Sequence, residues 1–261
     1  MRSAIRRTLI LASAVAATTV CVTACSSEES TAAAPSTSRT HATTGGVVAT
    51  PPPTTAPPTI VDPSLNGPLQ SAAAANDAAQ VRDLLARGAE IESRDGQGRT
   101  PLVTATKNRG VDAARVLIDA GADVNAKDDI EDSAYLYAGA EGYDTILRMT
   151  LDHGADLRSV NRFGGTALIP ASEHGFVSTV RTLIDAGVDV NHVNTPGWTA
   201  LHEAVVYGDG SQNHRQVVSD LLDAGADPDI RDADGRTVLT NALNRGQTAV
   251  VAVLHDHGAA R

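Results

Sequence analysis

The sequence predicts an all-α solenoid, about six helix–turn–helix units stacked in a row and linked by short β-turn fingers. Three observations carry that expectation. Helix-ending glycines recur at Gly88, Gly121, Gly154, Gly187, Gly225 and Gly258, at intervals of 33 residues with a single interval of 38. An alanine keeps the same phase at Ala72, Ala105, Ala138, Ala171, Ala204 and Ala242. Three residues before each alanine stands a large apolar side chain: Leu69, Leu102, Tyr135, Leu168, Leu201 and Leu239. A period of this length, with one turn and two helices per unit, is that of a repeat array in which each unit buries its apolar face only against its neighbours.

The stretch Asp185–Ala204 gives the local reasons. A helix ends at Gly187, since a residue without Cβ takes the left-handed turn at least cost. Val188–His192 reads as a short extended run, leading to a tight turn in which Gly197 suits positive φ. Thr199 then caps the next helix, its hydroxyl accepting a free amide of the first turn. With these residues in view, the chain resembles the ankyrin repeat family. The likeness rests on Thr100-Pro101-Leu102, on Thr199-Ala200-Leu201-His202, and on the GADVN-like runs Gly121–Asn125, Gly154–Leu157 and Gly225–Asp227. It covers about Asp62 to Arg261. It implies a protein-binding scaffold, and for His202 a structural role, bonded to turn backbone and to Thr199.

Taken in order, residues 1–24 are expected to be a secretory leader. Arg2, Arg6 and Arg7 precede the apolar run Leu9–Val22, which is too short for a comfortable membrane span. Val22-Thr23-Ala24-Cys25 resembles a bacterial lipobox, so Cys25 is expected to carry the lipid. Cys21 leaves with the leader, and a lone cysteine in an exported chain has no internal disulfide partner. Residues 25–61 are a Thr/Ser/Pro-rich linker without an aromatic residue, too poor in apolar surface to fold. Such a tether holds the array about 35 to 100 Å from its anchor, depending on polyproline content. Its composition also suits O-glycosylation.

The folded region, 62–261, divides into units of about 62–94, 95–127, 128–160, 161–193, 194–231 and 232–261. Unit one has Leu65 where the turn glycine belongs. Unit two is regular, with Pro101 at the helix start. Unit three puts Glu131 in the glycine position. Unit four has Pro170 in its first helix, early enough to cost only about one helix bond. Unit five carries five extra residues around Asp209–Asn213. In unit six His255 takes the place of Leu85, Ile118, Leu151, Ile184 and Leu222, as expected of a terminal cap.

Composition narrows the function. The formal charge is −10; without the three leader arginines, 18 basic residues face 31 acidic ones, or −13. That disfavours nucleic acid and anionic lipid as the main ligand. Catalytic patterns fail one by one. His202-Glu203 begins like HExxH, but Val206 stands where the second histidine is required. Asp227–Gly235 resembles a calcium loop without the proper first or twelfth ligand. His255 and His257 flank a helix end, where a solvated cap explains them. No enzyme, cofactor or metal site is expected.

What remains is the face formed by turn tips and first helices. Candidate partner-binding residues there are Arg99 and Lys107 in unit two, and Ile130, Asp132 and Glu141 in unit three. Arg162, Phe163 and His174 belong to unit four, Trp198 and Tyr207 to unit five, and Arg236 and Arg245 to unit six. Phe163 and Trp198 are the most informative, because turn tips need no aromatic ring to fold, whereas interface anchors are commonly aromatic or Arg. The competing role is packing of the rings on neighbouring loops. The leading expectation is a monomeric, non-catalytic module, lipid-anchored on the extracytoplasmic face of the cell membrane, that binds another exported or envelope protein. The alternative is an envelope sensor or binding protein for a metal or small molecule.

Overall fold

A computed structural model describes residues 61–259; the leader, Cys25 and the linker up to residue 60 lie outside the described residues. After a 3-10 turn at Pro63–Leu65, twelve α-helices follow in six pairs. They are α1 (Asn66–Ala74) and α2 (Ala78–Ala86), α3 (Pro101–Lys107) and α4 (Val111–Asp119), α5 (Ala134–Ala140) and α6 (Asp144–Asp152). The remaining pairs are α7 (Leu168–Glu173) and α8 (Val177–Ala186), α9 (Ala200–Val206) and α10 (Gln212–Asp223), α11 (Val238–Asn244) and α12 (Thr248–Asp256). First helices pack on first helices along the array and second helices on second helices, so the solenoid has two layers.

The phased residues lie between those layers. All six alanines and all six large residues three positions before them are at most 1 % exposed. Small side chains are needed because the first helices approach closely: a Cβ at Gly139 would stand only 2.7 Å from that of Ala167. The hydroxyls of Thr100, Ser133, Thr199 and Thr237 each accept the amide three residues on, at 3.1–3.3 Å. These bonds satisfy one open donor of each first helix.

The fingers are turns, and no strand forms among the described residues. The extended run expected at Val188–His192 is therefore corrected to a bend at Val190 and Asn191. The cause is local: Asp189 Oδ1 accepts the Asn191 amide at 2.9 Å and its carbonyl accepts the His192 amide at 3.3 Å. The bend frees Asn191 to staple the next unit, donating to the Gly225 carbonyl at 3.1 Å and accepting from the Asp227 amide at 2.8 Å. Asn125 does the same two units earlier, to Gly154 at 3.0 Å and Asp156 at 2.8 Å.

Each irregular unit has its own solution. In unit one, where Leu65 replaces the glycine, the finger is absent and helical backbone begins at Pro63 under an Asp62 cap. In unit three Glu131 adopts φ +64°, in the same region as Gly98 at +70° and Gly164 at +70°. That conformation strains a residue with Cβ. In unit four Pro170 lacks the amide that its counterpart Thr104 donates to the Thr100 carbonyl at 2.9 Å. The loss goes further than one helix bond: α7 starts a residue late and the Thr166 hydroxyl, the expected cap, is buried without a partner. In unit five the extra residues lengthen α10 to 12 residues, against nine or ten in the other second helices. His255 is exposed, whereas its five apolar counterparts are buried or half-buried against the core. No helix of the described residues is long and apolar enough to cross a membrane.

Candidate functional site

Every regular finger is closed by one side-chain oxygen. Asp95 Oδ1 accepts the amides of Gln97 and Arg99 at 2.8 and 3.0 Å, and Asp128 Oδ1 those of Ile130 and Asp132 at 3.1 and 2.9 Å. Asn161 serves Phe163 and Gly165 at 2.9 and 3.1 Å, and Asn194 serves Trp198 at 2.8 Å. Asp232 serves Asp234 and Arg236 at 3.0 and 2.8 Å. An amide oxygen thus closes the turn as well as a carboxylate does. What varies is the group that the second atom of this side chain meets on a neighbouring first helix.

For the finger of unit three that group is Lys107, from the first helix of unit two. Its Nζ lies 2.8 Å from Asp128 and 2.9 Å from Asp132, with its side chain 14 % exposed. Burial raises the Asp128 carboxyl, but the hydrogen bond from Lys107 and those from the turn amides outweigh it and hold the group below its ordinary range. Lys107 also lies 4.9 Å from the centre of the Tyr137 ring. Lys107 and Asp132, both read from the sequence as open to a partner, are therefore corrected to an internal ion cluster. Of the acidic residues on this tip only Asp129 and Glu131 are exposed. The second lysine of the chain, Lys127, is also engaged, donating to the Val160 carbonyl of the next unit at 2.7 Å.

Units three to five enclose a groove of about 470 Å³ between their tips and first helices. Phe163 and Tyr207 line it and are 53 % and 58 % exposed, unusual for large apolar residues in this protein. Arg162 lies over the Phe163 ring at 4.7 Å and reaches Asp132 at 3.7 Å. Glu141 is exposed on the α5 side. Trp198 is placed differently from the expectation of two neighbouring tip rings. It is half-buried, does not line the groove, and packs against Tyr207 with ring centres 5.2 Å apart and planes tilted by 58°. His174 is exposed but turned onto Phe176, 5.3 Å away, outside the groove.

The floor of the groove holds Glu203, on the inner face of α9 and 5 % exposed. Its Oε1 accepts from Asn194 Nδ2 at 2.9 Å, and its Oε2 has no hydrogen-bond partner. Burial, reinforced by the charge of Glu173, pushes this carboxyl up to about 7, against the opposing bond from Asn194. Glu173, at the end of α7, lines the same groove. Its backbone is held by the unit-five insertion: His214 Nε2–H donates to the Glu173 carbonyl at 2.9 Å. His214 Nδ1 in turn lies 2.8 Å from Asp209 and 3.1 Å from the Ser211 hydroxyl. The loop between α9 and α10 thereby fixes one wall of the groove.

The other candidates are dispersed. Arg99 and Arg236 are half-buried beside their own turn carboxylates, each 3.9 Å away. Arg245 is exposed and bonds the Gly208 carbonyl at 3.4 Å, and Ile130 is 49 % exposed at its tip. His202 is fully buried, its Nδ1 2.9 Å from the Thr199 hydroxyl, and burial lowers its proton affinity. Among the described residues no three His, Cys, Asp or Glu side chains are grouped to hold a metal ion. A recess of about 240 Å³ beside Arg109 and Tyr143 contains no unpaired buried polar group. Sequence reasoning missed Glu203 and His214. A signal for Glu203 was present: unit six has Asp232 and Asn241 where unit five has Asn194 and Glu203, the acid and amide exchanged.

Two stacked layers of short helices, capped turns of 33-residue period and an open groove along the tips define a helical-repeat binding scaffold. The chain belongs to the ankyrin repeat family: a sequence profile of ankyrin repeats in three copies matches residues 56–128 and 135–232. It is similar to the crystal structure of an ankyrin repeat domain from Acinetobacter baumannii AYE, at 55% identity and a TM-score of 0.72, covering 74% of this chain and 98% of that one. A second solved ankyrin repeat protein is 40% identical with a TM-score of 0.70, covering 73% of this chain and 97% of its own. Ankyrin repeats are protein–protein interaction modules, generally non-catalytic, and this chain is one of them.

Proposed function

We propose that this protein is a non-catalytic capture module, exported and lipid-anchored at Cys25, that binds another exported protein on the outer face of the cytoplasmic membrane. The observation that carries the binding half is the groove of units three to five. Two large rings, Phe163 and Tyr207, remain more than half exposed there, side by side in one groove. Apolar rings bordered by Arg162, Glu141 and Glu173 match the apolar centre and polar rim of protein interfaces. The export half rests on the leader and the Val22-Thr23-Ala24-Cys25 motif.

A photo-crosslinking residue at position 163, introduced in the native cell, tests the first half. A stoichiometric adduct with one exported protein is expected, and its loss when Tyr207 is changed to Ala. Adducts that are absent, or indifferent to Tyr207, would refute it. For the second half, Cys25→Ala is expected to release the protein from the membrane fraction or leave its leader uncut. Fractionation and migration like the wild type would refute it.

A further inference from the structure

We propose that the groove of units three to five receives a basic side chain, lysine or arginine, of a partner polypeptide, with Glu203 as its counter-ion. The proposal rests on the reading of the chain as a protein-binding module and specifies the chemistry of what it binds.

The charge of Glu203 has no structural purpose within the fold. Its bond to Asn194 closes the gap between turn and helix, but unit six makes the same bond with opposite polarity, Asn241 donating to Asp232 at 2.9 Å. A neutral glutamine at position 203 would accept from Asn194 equally well. Instead a carboxylate is buried with one oxygen unpartnered, which is costly unless a cation or donor is supplied from elsewhere. Glu173 adds a second negative charge in the same groove. Among the described residues neither carboxylate has an ion-pair partner. Arg162, the cation lining the groove, is directed to Asp132 and stacked on Phe163.

The surroundings define the ligand. Tyr207 and Phe163 present exposed rings, which attract an ammonium or guanidinium group over their faces. An anion would be repelled by two carboxylates, and a neutral side chain would leave Glu203 unpaired. A bare metal ion would need three or more suitable ligands, which are not grouped among the described residues. The groove is open along three units, so a side chain can enter from a backbone lying across the tips. Since the carboxyl is partly protonated near neutral pH, binding of the cation is accompanied by loss of its proton. The polar and titratable groups that line the groove with Glu203 are Glu173 from α7, Asn194 from its own finger, Tyr207 at the end of α9, Tyr137 and Glu141 from α5 and its end, and Arg162 and Asp132 from the fingers of units four and three. Tyr207 and Tyr137 are pushed up by burial and stay neutral below pH 9; His214 holds the Glu173 backbone from outside the groove, and Glu203→Gln separates its contribution from that of Glu203.

The test uses the full chain and the fluorescence of Trp198, its single tryptophan, packed against Tyr207. Blocked pentapeptides Ac-Ala-Ala-Xaa-Ala-Ala-amide, with Arg, Lys, Gln or Glu at the centre, are titrated at pH 6 and pH 8. A saturable change is expected with Arg or Lys, tighter at pH 8, and at least tenfold weaker with Gln or Glu. Glu203→Gln should weaken the basic peptides about tenfold or more and remove the pH dependence without lowering the melting temperature, and Glu173→Gln should weaken them less. Equal binding of neutral peptides, wild-type affinity in Glu203→Gln, or no saturation by basic peptides would overturn the proposal. Methylguanidinium binding as tightly as the Arg peptide would overturn the polypeptide assignment. A crosslinked protein partner whose affinity ignores Glu203→Gln would leave the capture reading standing and remove this one. Basic-peptide binding with no protein crosslinked in the cell would do the reverse.

Discussion

Glu203→Gln should stabilise the protein, and by an amount that depends on pH. A carboxyl that titrates at about 7 in the folded state and at 4.5 in the unfolded chain keeps its proton longer when folded. Between those values the native state binds more protons than the unfolded state, so stability falls as pH rises. Below 4.5 both states are protonated and the burial of Glu203 costs little. Above 7 both are ionised and the full cost appears, about 3 kcal/mol at 1.36 kcal/mol per unit of pKa. Glutamine keeps the volume and the bond from Asn194, and carries no charge at any pH. Glu173 is present in both proteins, so the comparison isolates position 203. Urea unfolding of wild type and variant at pH 5 and pH 8 measures the effect. The variant should gain about 3 kcal/mol at pH 8 and less than about 1 kcal/mol at pH 5. A variant less stable at pH 8, or a difference that does not change with pH, would show that Glu203 is not a buried, unpaired carboxylate.

Ala138→Leu should overpack the contact between first helices and cost about 1–3 kcal/mol or more, while exposed Gln97→Ala stays within about 0.5 kcal/mol, both read from denaturant midpoints. Lys107→Met leaves Asp128 without a cation and Asp132 with only the more distant Arg162, 3.7 Å away, and should cost about 3 kcal/mol at pH 7. Because Asp128 is held below its ordinary 3.8, that contribution is present above this value in the wild type and fades as pH falls through the lower folded value; a pH series of melts checks it. Phe163→Ala should weaken capture of the crosslinked partner by about 2 kcal/mol with an unchanged melting temperature. Trp198→Ala, which removes a half-buried ring packed against Tyr207, should lower both, and a calorimetric melt beside a binding titration distinguishes the two variants.

The array was legible in the sequence because its determinants are local and repeat. A glycine that ends a helix, a hydroxyl that caps the next and an alanine at the tight contact each act within a few residues, and a solenoid needs only neighbouring units to agree. Gly187, Thr199 and Ala204 could therefore be assigned their roles from spacing alone. Even the irregular positions were visible as departures, although not all their consequences were: Pro170 announced a weakened helix start, but not the stranded Thr166 hydroxyl.

Which side chains meet across units was decided only by the tertiary structure. Lys107 looked like a free cation on a binding face until stacking brought it to Asp128 and Asp132, more than 20 residues on. Trp198 and Phe163 sit on adjacent fingers in the sequence, yet one ring turns back onto Tyr207 while the other lines the groove. His214 and Glu173 are 41 residues apart and touch because the insertion folds back over the end of α7. The period of the chain determines where each backbone position lies. The choice of partner for a long polar or aromatic side chain depends on its rotamer and on every group within reach in the next unit, and those distances exist only once the units are stacked. Glu203 shows the difference most clearly: its place on the first helix follows from the repeat, but the absence of a partner for its second oxygen is a property of the assembled groove.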